Sequence, residues 1–459
     1  MKKLKSIKTV FLFWMLLMLT ACGKYLDIQS NDAIIVPKDL VSLQKLLDNS
    51  EKMNRGIASY GEASADDFFI KQTTYDNLNE EDKRNYTWDN DMDEYDNDWA
   101  RGYAPVYISN LVLDQLQDIE PAPEEVGIRD QVMGSALFYR ANQYLSLLWT
   151  YAKAYSVATA SSDLGIVLRN SSDFNEKSTR SSVKVCYDQV IQDLRTAMVL
   201  LPDHATHVMR PSKTAAYGVL ARTYLSMGRY DSAYYFADKV LEINDELLDY
   251  NNPLEVKLTT NFPFTRFNKE VIAHFQLTII SPFQNYANIQ ADTMLYRMYS
   301  SDDLRKQAYF LTNSSPYITV KGNYSGQAGY VTYLFGGLAT DEFYLVRAEC
   351  LARAGKLVEA QADLNDLLVK RYRTGTFQPY QLTNQQAVLQ LILQERRKEL
   401  FLRGLRWSDI KRLNLEGANI SIKRKIDAKE FLLEANSNRF ALPLPIDIIR
   451  ETGMPQNPT

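Results

Sequence analysis

The sequence predicts a mainly α-helical protein: a superhelical scaffold of paired helices carrying one loop-rich insertion with a few short strands. Three observations lead there. Two segments far apart in the chain repeat one pattern of Tyr, Ala, Gly and Ala at a common offset. Long stretches on either side space their apolar residues at the helical period. Between the repeats lies a segment rich in Pro and Asn, punctuated by β-prone runs. At 459 residues, 46% hydrophobic and 24% charged, the chain is globular in composition. It is longer than one core of about 150 residues usually accommodates. The 52 basic and 56 acidic residues leave a net charge of −4, so there is no basic footprint for nucleic acid. Three Cys and three His exclude a disulfide-built scaffold and argue against a His/Cys metal centre.

The first element is a targeting segment. Lys2, Lys3, Lys5 and Lys8 form a basic start, and Val10 to Leu19 is an unbroken apolar run. That run is about half of the ~20 residues a spanning helix needs, which makes it a signal-peptide core. Leu19-Thr20-Ala21-Cys22 follows and resembles a bacterial lipobox. On this reading residues 1–21 are removed, and Cys22 becomes an acylated N-terminus that holds the protein to a bilayer by lipid. The mature chain then divides into an N-terminal part (22–250), an insertion (251–337) and a C-terminal part (338–459).

In the N-terminal part the spacing predicts a helix over Arg129–Tyr155, with Phe138, Tyr144, Leu148 and Tyr151 in its apolar pattern. A second is predicted over Ser182–Leu201, stopped by Pro202. Then comes the repeat. Tyr217, Val219, Ala221, Gly228 and Ala233 correspond to Tyr344, Val346, Ala348, Gly355 and Ala360. This is the helix-turn-helix pattern of tetratricopeptide (TPR) units. The alanines allow close helix approach and the glycines end the first helix of each pair. TPR units normally run consecutively, so the separation of the two copies predicts that they frame whatever is inserted. Cys186 and Cys350 fall in helical segments and are read as small buried core residues, in preference to a disulfide.

The insertion carries Pro253, Pro263, Pro282 and Pro316. Tyr317–Lys321 and Tyr330–Phe335 flank a Gly-containing connection and are predicted to pair as a hairpin, with a further strand within Val271–Ile280. A long helix is predicted over Asn384–Arg406, begun by a capping box of Thr383 and Gln386. It contains Glu395 and Glu399, one turn apart as an acid/base pair would be. The arginines Arg396, Arg397, Arg403 and Arg406 outnumber these acids. The better reading is an ion-paired structural clamp.

Taken in order, several segments are similar to the SusD/RagB family of outer-membrane nutrient-binding lipoproteins of Bacteroidota. They are the lipobox with Tyr25-Leu26-Asp27, then Trp99 with Tyr107 and Asn110, and the run from Ala136 to Ala141. Ser182 to Pro202, Arg210 to Tyr217 with the first TPR copy, and Asp303-Leu304-Arg305 follow. Arg347-Ala348-Glu349, Glu395 to Leu400, Gly404 to Trp407, Leu442 to Pro445 and Gln456 to Pro458 complete the series. The chain departs from the pattern at Tyr151–Tyr155 and at Arg403. The resemblance implies a SusD-like fold and a function without chemistry: capture of a glycan, or of a peptide in the same role. Such proteins resemble a hinged lid over a SusC-like TonB-dependent outer-membrane transporter. It implies no cofactor, and the sequence holds no nucleophile elbow, phosphate loop or metal-ligand cluster. Two other classes compete: a lipid-anchored glycosidase using a carboxylate pair, and a TPR adaptor that binds proteins only.

A sugar binder needs aromatic faces for stacking and amides or carboxylates for hydroxyls. Two segments offer them: Tyr86, Trp88, Asp89 and Asn90 ahead of the helix bearing Trp99, and Phe283, Asn285 and Tyr286 in the insertion. Trp99, Trp149 and Trp407 are expected in the core. Asp89, Asp91, Asp93, Glu94, Asp96 and Asp98 read as a solvated acidic loop, because Glu94 stands where a calcium-binding EF-hand needs Gly. His204 and His207 read as loop residues.

Overall fold

The computed structural model describes residues 37–89, 97–280, 283–311, 317–322, 324–326 and 333–458. From Leu40 onward they belong to one compact unit. Cys22 and Asn90 lie outside the described residues, as do Asp91–Asp96.

The frame is a row of helices, each packed on the next. Asp98–Gln115 packs on Val126–Tyr151, which packs on Val183–Leu200 and so on Lys213–Ser226. Local chemistry sets their ends. The Ser182 hydroxyl accepts from the Val185 amide and the Ser212 hydroxyl from the Ala215 amide, each capping a helix start. Lys213–Ser226 and Tyr230–Leu241 form the first TPR pair, and Thr340–Arg353 and Leu357–Val369 the second. Gly228 and Gly355 take φ of +67° and +77°, the left-handed turn that ends the first helix of each pair.

The two pairs adjoin in space. Tyr230–Leu241 packs directly on Thr340–Arg353, and Arg347 of the second copy bridges Asp238 of the first at 2.8 Å and Asp363 at 2.7 Å. The insertion therefore leaves and re-enters an otherwise continuous helical stack. Its strands reach elsewhere: Val271–Ala273 pairs antiparallel with Leu338–Ala339. A four-stranded sheet has the order Phe68–Phe69, Gln290–Ala291, Thr319–Val320, Phe310–Leu311.

Three sequence expectations are corrected. The Tyr317–Lys321 run does not pair with the Phe335 end of its expected partner. Thr319–Val320 lies between Gln290–Ala291 and Phe310–Leu311, while Phe335 bridges Gln276. The long C-terminal helix spans only Gln385–Glu399, and its cap is Asn384, whose side chain accepts from the Ala387 amide. It stops before Gly404, which sits at φ +75°. Asp98 is no solvated acid: it is fully buried and accepts from the backbone amides of Ser59 and Tyr60 at 2.8 and 2.9 Å. Burial pushes its carboxyl up to about 6 against those bonds.

Cys186 and Cys350 are free and buried, as core residues are. Trp99 and Trp407 are buried and Trp149 half-buried. His204 and His207 lie in a loop, where His207 Nδ1 accepts from the Met209 amide. Among the described residues no helix is long and apolar enough to cross a membrane.

Candidate ligand-binding surface

The charged C-terminal motif is built inward. Arg305, from the insertion, is completely buried and reaches Asp303 at 2.7 Å, Glu395 at 2.6 Å and Glu399 at 2.8 Å. Glu399 also takes Arg371 at 2.7 Å, and Lys398 bridges Asp303 and Glu395. Burial alone would raise the Glu399 carboxyl, but Arg371 and Arg305 hold it below the ordinary range. The two glutamates one turn apart are therefore buried, anchored anions facing guanidinium groups. This cluster ties the insertion to the C-terminal helix.

The two predicted ligand segments converge from opposite ends of the chain on one residue, Phe68. Its ring lies 6.3 Å from that of Tyr86 and 5.1 Å from that of Phe283. The convergence is internal, and this corrects the expectation for three of the seven residues. Trp88 is 3% exposed, and its indole N–H donates to the Ser64 carbonyl at 3.1 Å. Tyr86 and Phe283 are equally buried. The reason is Arg424, whose guanidinium lies 3.7 Å from the Tyr86 ring centre and 4.7 Å from that of Trp88. It donates to the carbonyls of Ala63 and Ala65 and to that of Tyr86. A buried cation with carbonyl partners and aromatic faces draws both rings inward. Trp88 even holds a left-handed backbone at φ +55°, just past the end of the Glu80–Tyr86 helix, a strain for a bulky residue that its packing offsets.

What these segments leave outside is smaller. Asp89 and Asn285 are exposed and Tyr286 is half-buried. The Tyr286–Asn288 turn packs beside the Thr319–Val320 strand, so Asn285 and Tyr286 border the four-stranded sheet.

One face of that sheet carries a half-buried and an exposed aromatic, Phe69 and Tyr317. Phe69 alternates with buried Phe68 and shares its face with Gln290 and Thr319 through the strand register. Tyr317, two residues before Thr319, is 43% exposed and meets Phe69 edge to face at 5.5 Å. The Lys71 ammonium sits 5.8 Å from the Tyr317 ring centre. Gln290 is fixed at the centre, donating to the Ala287 carbonyl at 3.1 Å and accepting from the Thr319 hydroxyl at 3.3 Å. An aromatic pair beside a cation and a bordering amide suits a flat ligand bearing hydroxyls. Sequence reasoning missed Phe69 and Lys71 and read Tyr317 only as a strand residue. The inside-outside alternation at Phe68–Phe69 lasts two residues, too short for period-two reading.

Comparison with known proteins agrees with this architecture. The family profile "SusD-like_3", described as starch-binding associating with outer membrane, matches residues 24–225, and the profile "SusD family" matches residues 338–441. A SusD-like protein P2 from Formosa agariphila is 24% identical over 435 residues, covering 82% of each chain. A SusD superfamily protein from Bacteroides thetaiotaomicron superposes with a TM-score of 0.74 at 22% identity, covering 92% of this chain and 100% of its own. The surface glycan-binding protein A of Bacteroides uniformis superposes at 0.67 and 16% identity, over 91% and 99%. With both ends of its helical frame matched by the family's own profiles, and the whole stack shared with its solved members, the chain belongs to the SusD/RagB family.

Proposed function

We propose that the protein is a non-catalytic, lipid-anchored outer-membrane protein that captures a glycan and hands it, as a hinged lid, to a SusC-like TonB-dependent transporter. The observation that carries glycan capture is the exposed Tyr317 ring against half-buried Phe69, with Lys71 beside it and Asn285 at its border. Aromatic faces cover the apolar face of a sugar ring, while amide and ammonium groups take its hydroxyls. The lid role, the transporter and the acylation of Cys22 rest on the family resemblance and on the lipobox sequence. The burial and ion pairing of Glu395 and Glu399 support a binding role over the glycosidase alternative at that pair. The test has two arms. Native gels cast with neutral polysaccharides should retard the protein without release of reducing ends. A C-terminally tagged copy should bring down a TonB-dependent barrel from native outer membranes. Sugar release would place the protein among enzymes, and a clean pull-down from correctly lipidated protein would end the transporter reading.

A further inference from the structure

Beside the aromatic sheet runs a groove of about 680 Å³ along the Gln385–Glu399 helix. Its wall is a row of three glutamines, Gln386, Gln390 and Gln394. At four-residue spacing they share one helix face and follow one another at about 6 Å. All three are exposed, and no other group among the described residues engages their side-chain amides. Half-buried Leu389 and Leu393 lie between them, and Met298 borders the groove.

The charged groups of the groove are already satisfied. Arg353 reaches Glu349 at 2.9 Å and Glu416 at 2.7 Å, Arg406 reaches Asp66 at 2.7 Å, and Arg397 reaches Asp67 at 2.7 Å. Burial would raise Asp66, but Arg406 and Arg397 bring it down to about 2, so the pairing is ionic throughout the neutral range. No guanidinium is left over to select an anion. Beside these paired charges, which include exposed Glu416, the groove presents neutral groups: three amides and short apolar patches.

The groove adjoins the aromatic sheet through short connections. Asp66 is in the groove and Phe69 is on the sheet, three positions on, a span of at most about 11 Å. Gln290 on the sheet and Met298 in the groove are joined by one short helix, Thr293–Met298. Arg397 closes the seam by reaching Asp66, Asp67 and Asp292.

We infer that this groove is a second binding subsite, continuous with the aromatic sheet, for further units of a neutral, hydroxyl-rich polysaccharide chain. The inference rests on the glycan reading above and adds to it a ligand class (neutral) and a length dependence. A ligand that engages both places gains from the high effective concentration of its second contact, whereas a short one reaches only the sheet.

The test is isothermal titration of the purified full-length protein with maltohexaose, mannohexaose and xylohexaose, their trisaccharides, and an alginate hexasaccharide as the anionic comparison. It is repeated on Gln386→Ala/Gln390→Ala/Gln394→Ala, whose exposed changes favour the helix, and on Tyr317→Ala. The expected result is a neutral hexasaccharide bound by the native chain about tenfold more weakly by the triple variant. Its trisaccharide should be unaffected by the triple variant, and both lengths should be weakened by Tyr317→Ala. Equal hexasaccharide binding by native chain and triple variant overturns the groove subsite and leaves the glycan reading intact. Preference for alginate overturns the neutral class. If the native chain binds no saccharide of the panel, the glycan reading falls and the groove with it.

Discussion

Arg305 and Tyr317 stand twelve residues apart in the same insertion, yet the surroundings they help to build are opposite. Around Arg305 everything is enclosed: carboxylates of Asp303, Glu395 and Glu399 close on one guanidinium, and no solvent-facing volume remains. Around Tyr317 the contacts are partial: Phe69 meets the ring edge to face, the Lys71 ammonium lies over it, and the residue is still 43% exposed. The contrast shows that density of functional-looking side chains is a poor guide to a site. Buried charges demand partners and consume one another's valence, while a binding surface needs groups whose capacity is unspent. The charge-dense motif is the fixing point of the insertion, and the sparse face is the one proposed to meet a ligand.

The sharpest way to break this contrast is to unbalance the buried side. Arg305→Ala would leave three carboxylates facing one another without their shared cation. Removing one partner of such a cluster costs about 3–5 kcal/mol, so the urea midpoint should fall steeply. Arg373→Ala, which breaks the exposed Arg373–Asp302 pair at 3.5 Å, should change stability by less than about 1 kcal/mol. Similar losses from the two variants would remove the distinction between anchored and surface charge.

Trp88→Ala separates the interior from the surface in the same way. It removes a buried ring, its contact with Arg424 and its hydrogen bond to Ser64. Such truncations cost about 3–5 kcal/mol. The folded fraction should still bind saccharide as the native chain does. A variant of native stability and lost affinity would return Trp88 to the binding surface.

Glu62 and Asp66, neighbours in one segment, differ in the direction of their pH response. Glu62 is buried with no side-chain partner, and burial together with the charge of Asp67 pushes its carboxyl up to about 8, despite the Gly404 amide and Arg406. A carboxyl raised on folding binds its proton more tightly in the native state. Its stabilising contribution is full below its ordinary value of 4.5 and is lost as pH rises toward 8. Asp66, lowered to about 2, contributes above its ordinary value of 3.8 and loses that contribution as pH falls through 2. Glu62→Gln should therefore flatten the stability profile between about pH 5 and 8, where one site can contribute at most about 1.4 kcal/mol per pH unit. Thermal unfolding of the native chain and the variant across that range tests it. Parallel profiles would mean that Glu62 is ionised in the folded protein.

The helical frame was legible because its signals are long. The Val126–Tyr151 and Val183–Leu200 helices carry several turns of pattern, and Gly228 and Gly355 mark turns that only a left-handed residue fits well. The paired-charge reading of Glu395 and Glu399 was legible from stoichiometry, since arginines outnumber acids there. The candidate surface was not. Its strands are two residues long and come from three distant parts of the chain, so no window contains their alternation. Trp88 misled for a related reason: its partner Arg424 lies in a hairpin far along the sequence, and an aromatic among polar residues gives no sign of a buried cation that will draw it in. The Asn384 cap was one residue from the expected Thr383, the usual scale of error for helix ends.

The smallest expected effect on folding belongs to the residue with the largest expected effect on binding. Tyr317 is exposed, and truncating an exposed side chain usually moves stability by no more than about 0.5 kcal/mol. The truncation gives up its edge-to-face contact with Phe69 and the nearby Lys71 ammonium. A ligand stacked on the ring would lose far more, and a weakening of about tenfold corresponds to about 1.4 kcal/mol. Tyr317→Phe sharpens the point, because it keeps the ring and removes only the hydroxyl. Stacking predicts near-native affinity for Phe and loss for Ala, whereas a hydrogen-bonding role predicts loss in both. If both variants bind as the native chain does at native stability, the open face of this sheet is not where the ligand rests.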